Sequence, residues 1–216
     1  MRIYDISIPI SPSMAVWPGD PPVKISQLSS IKQGDDSNTS QLSLCVHTGT
    51  HIDTPKHFLQ DSESIDKLPL EKLMGEVLVM QLMNDVDVID DKSLKSHPKL
   101  DDLLHCSKVL FKTRNSQNWE NNQNKFTDKY VGLNTSAAAF LAELNLDLIG
   151  VDYLSIATYD DSEKPHKILL NKEIVLLEGI NLHDVHPGIY NLFCLPLPIV
   201  DCDGAPARVI LTEKRS

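Results

Sequence analysis

His47, His51, Asp53 and His57 fall inside one run, HTGTHIDTPKH, which holds three of the chain's eight histidines. Neutral imidazole and carboxylate are the donor types that suit zinc, manganese or ferrous iron. A carboxylate adds a capacity that imidazole lacks, because its two oxygens can bridge two cations. Imidazole also titrates near neutrality, so one of these residues can serve as acid and base instead of as a ligand. His57, which lies beyond Pro55, is the candidate for that second role. A lone histidine is more often a hydrogen-bonded loop residue, but three with an aspartate and a glycine favour a cation site.

Such a site needs particular local structure to aim it. In QLSLCVH the alternation puts Leu42, Leu44 and Val46 on one face and Ser43, Cys45 and His47 on the other, so a strand over 42–47 is expected to end at His47. Gly49 permits a sharp turn there. His51 and Asp53 are two apart and project to the same side of extended backbone. Pro55 biases Thr54 toward extended dihedrals and argues against a helix through the run. The expected strand-loop-strand points His47, His51 and Asp53 at one place.

Further strands are expected over 3–8, 23–28, 77–82, 109–112, 148–152, 174–177, 192–197 and 208–211, where branched apolar residues cluster or alternate. TSAAAFLAELN reads as a helix capped by Thr135 or Ser136, and a second helix is expected to follow Pro165, since proline suits a first turn. Shorter helices are expected around LPLEKLM and DKSLKSH. The polar stretch NSQNWENNQNKFTDKY reads as an exposed excursion. Many strands with few helices indicate one α/β or α+β domain, residues 1–216, with a curved mixed sheet.

Composition narrows the partners. The formal net charge of −10 disfavours nucleic acid and anionic membrane surfaces, which both require a basic face. Hydrophobic residues at 41% and charged residues at 23% are ordinary for a globular protein. The N-terminal MRIYDISIPISPSM lacks the apolar core of a signal peptide, and no run approaches the roughly 20 apolar residues of a membrane span. Cys45, Cys106, Cys194 and Cys202 form no C-x-x-C pair and read as reduced thiols in a cytoplasmic protein. Cys45 lies close to His47 but is read as packing filler.

HTGTHIDTPKH resembles the signature H-x-G-T-H-x-D-x-P-x-H of the metal-dependent cyclase family, which includes bacterial kynurenine formamidases and isatin hydrolases; every fixed letter matches. VWPGDPP is similar to that family's aromatic-P-G-D turn, and IDKLPLEKLMG follows the motif as in relatives. DYLSI, PHKILLNKEIVLLEGINL and LPLPIVDCDGAPARVIL resemble its C-terminal blocks. The likeness spans nearly the whole chain and is weakest over 83–130.

The resemblance implies a set of roles. His47, His51 and Asp53 would bind metal, His166 and Glu178 would complete a two-metal site, and His57 would be the acid/base. Read without it, Glu178 is a strand-end surface residue and His166 a polar residue at a helix start. Even so, Glu178 closes the apolar run IVLLE, where an unpaired carboxylate is costly to bury. Trp17 would wall the substrate pocket, although it fits equally well as a core tryptophan beside a Pro-Gly turn that Asp20 holds through an Asx-type bond. His97, His105, His183 and His186 fall outside every matching block. In DYLSIATYDD, Ser155 matches, but Ala157 and Thr158 intervene before Asp160 and Asp161, whereas many relatives place an acidic residue soon after the serine.

The fold implied is a swivelling β/β/α arrangement around a mixed, barrel-like sheet with few helices. The implied activity is metal-dependent hydrolysis of non-peptide C–N amide bonds, with an aryl formamide such as N-formylkynurenine as first substrate. A cyclic amide or lactone is the alternative substrate, and a non-catalytic metal- or ligand-binding module the alternative of another class. A motif without cysteine but with a spare histidine favours an open catalytic site over a closed structural one. The expected cofactor is one or two divalent ions per subunit, zinc first and manganese or iron next. The expected partners are a small, aromatic substrate and further copies of the chain, in a homodimer or homotetramer with the N-terminal segment reaching a neighbour's pocket.

Overall fold

The longest strand, β10 (Gly204–Glu213), pairs along both of its edges and thereby closes the sheet. The computed structural model describes residues 2–121 and 125–214. On one edge of β10 lie β4 (His51–Asp53) and, further along, β1 (Ile3–Asp5); on the other lies β9 (Gly188–Pro196). From β4 the order runs through β8 (Val175–Glu178), β7 (Leu148–Val151), β6 (Lys108–Lys112) and β5 (Met74–Gln81) back to β9. Seven strands thus form a closed mixed barrel with β1 appended, in agreement with the barrel-like sheet expected.

The strands β5, β6, β7 and β8 are parallel neighbours. Parallel neighbours need crossovers, and the helices supply them. α1 (Asp91–Lys95) and α2 (Leu100–His105) join β5 to β6; α3 (Ser116–Asn121) and α4 (Thr135–Leu141) join β6 to β7; α5 (Glu163–Leu170) joins β7 to β8. Asn134, one residue before the expected cap, accepts the Ala137 N–H at 3.0 Å and starts α4. LPLEKLM yields a single 3-10 turn, Leu70–Lys72.

Period-two alternation sorts the barrel residues into two apolar layers. Ile52, Val77, Val79, Leu110, Leu148, Leu177, Leu192, Val209 and Leu211 meet in one cluster to which all seven barrel strands contribute, so it fills the interior. The intervening Leu78, Met80, Val109, Phe111, Ile149 and Leu176 face outward and pack under Leu94, Leu103, Ala137, Leu141 and Leu169 of the helices. No helix among the described residues is long and apolar enough to cross a membrane.

Two expectations are corrected. The strand expected over 42–47 is β3 (Thr39–Ser43), which ends four residues before His47. Among the described residues it pairs only with β2 (Lys24–Ser29), in a sheet separate from the barrel, so its alternation meets no barrel core; Leu42 is 54% exposed. The asparagine-rich stretch is not wholly an exposed excursion, because Asn115, Ser116 and Trp119 are buried. A fully buried carboxylate, Asp152, draws that segment in. It accepts hydrogen bonds from the Thr113 and Ser116 amides and hydroxyls at 2.7–3.1 Å. The Trp119 indole donates to the carbonyls of Asp152 and Ile180. Residues 122–124 of the stretch lie outside the described residues.

Candidate metal centre

Three residues of β4 set the geometry. Ile52 points into the barrel, so His51 and Asp53 project from the opposite face, as their spacing requires. The antiparallel register places Glu178, the last residue of β8, directly across from His51. On the other side Asp53 is paired with Gly204. His47 comes from the turn before β4, where the Thr48 amide bonds to the Cys45 carbonyl at 3.2 Å. His57 closes the 3-10 turn Pro55–His57, and His166 projects from α5.

These side chains converge around Asp53. Its Oδ1 lies 2.7 Å from His47 Nδ1 and 3.4 Å from His51 Nε2, and its Oδ2 lies 3.9 Å from both His57 Nε2 and His166 Nε2. Glu178 approaches His51 Nε2 at 3.4 Å and His166 Nε2 at 3.1 Å. Backbone carbonyls orient two of the rings: His51 Nδ1–H donates to Gly49 O at 2.9 Å, and His166 Nδ1–H donates to Ser162 O. Each then turns Nε2 inward, toward the carboxylates of Asp53 and Glu178. All five expected ligands and His57 are therefore brought to one place.

The donor set fits a cation on a specific observation: Asp53 Oδ2 is buried and accepts no hydrogen bond among the described residues. A buried, unpartnered carboxylate oxygen is costly. It faces imidazole nitrogens at distances too long for hydrogen bonds, which is the arrangement of ligands around an ion. The donor atoms of His51, Asp53 and Glu178 lie within 4.8 Å of one another, as do those of His47, Asp53 and His57.

Burial and charge compete at every group. Burial disfavours the protonated form of His47, yet Asp53 beside it raises its pKa to about 9. His51 and His166 are likewise held above the ordinary value against burial, by Asp53 with Glu178 and by Glu178 first, respectively. Burial opposes ionisation of Asp53, but His47 and then His51 keep its carboxyl well below the usual range. Among these histidines His57 alone is lowered, through burial, and is neutral at pH 7. A cation entering must displace protons, so loading is expected to release them. Since His47 binds its proton up to about pH 9, apparent zinc affinity should climb from pH 7 toward about 9; chelator competition across that range measures it.

A cavity of about 210 Å³ opens onto this cluster, lined also by Trp17, Asp20, Phe58, Leu154 and Ser155. Trp17 stands at its wall and is braced by Phe126, Tyr130 and Tyr159 at centroid distances of 5.3, 6.4 and 5.6 Å. Asp160 and Asp161 do not line the cavity; Asp161 instead accepts the Thr135 hydroxyl at 2.6 Å beside α4. His97 and His105 bond to the carbonyls of Gln81 and Asp101, and His183 and His186 are exposed, all outside the cluster.

Two features escaped the sequence reading. Asp203, in the turn before β10, touches both His47 and His57. Its signal was indirect: each imidazole needs a partner for its second nitrogen. The other is Gly179, which follows Glu178 with φ +67° and lies back to back with Gly49, also at φ +67°. A Cβ on Gly179 would land on the Gly49 carbonyl, 2.6 Å from its carbon. Gly179→Ala should cost about 3 kcal/mol or more through overlap and strain, read as a lower denaturant midpoint.

The barrel and the His/Asp/Glu cluster define a β-rich fold built around a candidate metal centre. The model of the putative cyclase family matches residues 4–158, and the chain belongs to that family. It is 36% identical to "Cyclase-like protein 3" of Arabidopsis thaliana over 98% of this chain and 80% of that one. It is 34% identical to the kynurenine formamidase of Salinibacter ruber, over 99% and 98% of the two chains. Among solved structures, a predicted metal-dependent hydrolase from Bacillus stearothermophilus superposes with a TM-score of 0.81 at 30% identity, covering 97% of each chain. Isatin hydrolase A from Labrenzia aggregata shares the fold, with a TM-score of 0.83 at 22% identity over 99% of this chain and 94% of that one.

Proposed function

We propose that this protein is a metal-dependent hydrolase of non-peptide C–N amide bonds, with an aryl formamide such as N-formylkynurenine as its substrate. The observation that carries the reading is the buried Oδ2 of Asp53, which accepts no hydrogen bond among the described residues and lies 3.9 Å from His57 and His166, both of which line an aromatic-walled cavity. The full-length similarity to a kynurenine formamidase supports the choice of substrate. His47, His51, Asp53, His166 and Glu178 would hold one or two divalent ions, zinc first, with manganese or iron as alternatives.

When bound, the cation supplies Lewis acidity that makes water a competent nucleophile near neutral pH. Trp17 presents an apolar face against which an aromatic ring can lie. His57, neutral and with Nε2 toward Asp53, takes a proton from the attacking water. As the C–N bond breaks, the same nitrogen returns a proton to the departing aniline, and the water oxygen leaves in formate. Elemental analysis of the purified protein, paired with assays on N-formylkynurenine, isatin and simple lactones, tests this. Bound metal with turnover of N-formylkynurenine supports the reading; turnover of isatin alone moves the substrate to cyclic amides. Bound metal with no hydrolysis of any of them leaves a non-catalytic binding module.

The chain also presents a reason to self-associate. The hairpin of β2 and β3 stands off the barrel with Ile25, Leu28 and Leu42 exposed, and an isolated two-stranded sheet is marginal in water. A homodimer or homotetramer would cover it, and sedimentation equilibrium reads the mass.

A further inference from the structure

Asp203 serves two histidines with one oxygen. Its Oδ2 lies 2.7 Å from His47 Nε2 and 3.3 Å from His57 Nδ1, and the two rings lie beside each other with centroids 4.0 Å apart. Its position is fixed from the backbone. The carbonyl of Asp203 accepts both the amide of Thr54, at 3.0 Å, and its hydroxyl, at 2.9 Å, so the residue after Asp53 anchors it. The next residue, Gly204, leaves room for the His47 ring: a Cβ there would come within 2.6 Å of Ile52 O and 2.8 Å of His47 Cε1. The chain at 203–204 is thus shaped around an imidazole.

A neutral imidazole has one N–H and one lone pair, and the hydrogen bond made by one nitrogen decides which role falls to the other. At His47, Nδ1 hydrogen-bonds to Asp53 Oδ1 and Nε2 to Asp203 Oδ2, each at 2.7 Å; when the ring gives up one proton to bind a cation, Asp203 keeps the other on Nε2 and leaves the Nδ1 lone pair on the Asp53 side. At His57, Nδ1 lies 3.3 Å from the same oxygen, a carboxylate contact that favours the proton on Nδ1 and so leaves Nε2 as the proton-accepting atom, 3.9 Å from Asp53 Oδ2. We propose that Asp203 is a positioning residue that sets the tautomers of both His47 and His57, and so ties cation retention to proton transfer. The assignment rests on the roles given above to those two histidines. A carboxylate that merely sat at the solvent edge would leave both functions alone.

The test compares Asp203→Asn and Asp203→Glu with the wild type, with thermal midpoints recorded to confirm folding. Three quantities are read: zinc affinity by competition with a chromophoric chelator, the visible absorption of the cobalt(II)-loaded protein, and kcat and KM at saturating zinc. In Asp203→Asn, zinc affinity should fall about 10–100-fold. The cobalt bands should shift, and kcat should fall by about tenfold or more with KM little changed. Asp203→Glu, which keeps the carboxylate, should recover part of the lost zinc affinity. Wild-type affinity and an unshifted cobalt spectrum in Asp203→Asn overturn the proposal at His47. Reduced affinity with an unchanged kcat overturns the coupling to His57, and no recovery in Asp203→Glu counts against the carboxylate. If the wild type hydrolyses no substrate, the functional reading fails separately, since affinity and spectrum need no substrate.

Discussion

Asp53→Asn is expected to abolish cation binding at the proposed site and to leave less than about a hundredth of the wild-type turnover. Asp53 is the one side chain near every other member of the cluster, from His47 at 2.7 Å to His57 and His166 at 3.9 Å. Its two oxygens face different imidazoles, so an amide cannot replace it: one of the two acceptor atoms becomes an N–H pointed at nitrogen donors. The substitution is nearly isosteric, and Ile52 still anchors the strand inside the barrel. The variant should therefore fold while elemental analysis finds little metal. Metal content equal to the wild type would remove Asp53 from the ligand set and the central argument for the site with it.

How far this site was visible in the sequence depends on the range of the interactions involved. His51 and Asp53 share a face because a strand has a period of two, and the spacing alone says so. Gly49 does turn the chain, at φ +67°. The position of His47 was misjudged because QLSLCVH alternates as a half-buried strand would, yet β3 has no barrel core to face. Alternation reports amphipathicity and not which body the strand joins. His166 and Glu178 were assigned through family resemblance; their own residue types suggested a helix start and a surface strand end. What unites them with His51 is the β4–β8 register, a pairing across more than a hundred residues. Asp203 is a similar case, 156 residues from His47. The burial of Trp119 was also hidden, because its polar neighbours satisfy Asp152 instead of solvent.

The second large effect concerns proton transfer without metal loss. His57→Ala should lower turnover by about 10²–10⁴-fold while metal content stays at the wild-type level. Exposure separates this ring from the proposed ligands: its side chain is 28% exposed, against 2% for His51 and 5% for His166. It also differs in proton affinity. Burial lowers the pKa of His57, whereas those of His47, His51 and His166 are raised by the carboxylates they meet. A neutral imidazole can accept a proton and, once protonated, can return it. Removal of the ring should therefore leave cation binding intact but strand the proton. Loss of metal together with activity would make His57 a ligand, and full activity with full metal would leave the leaving nitrogen to be protonated by another group.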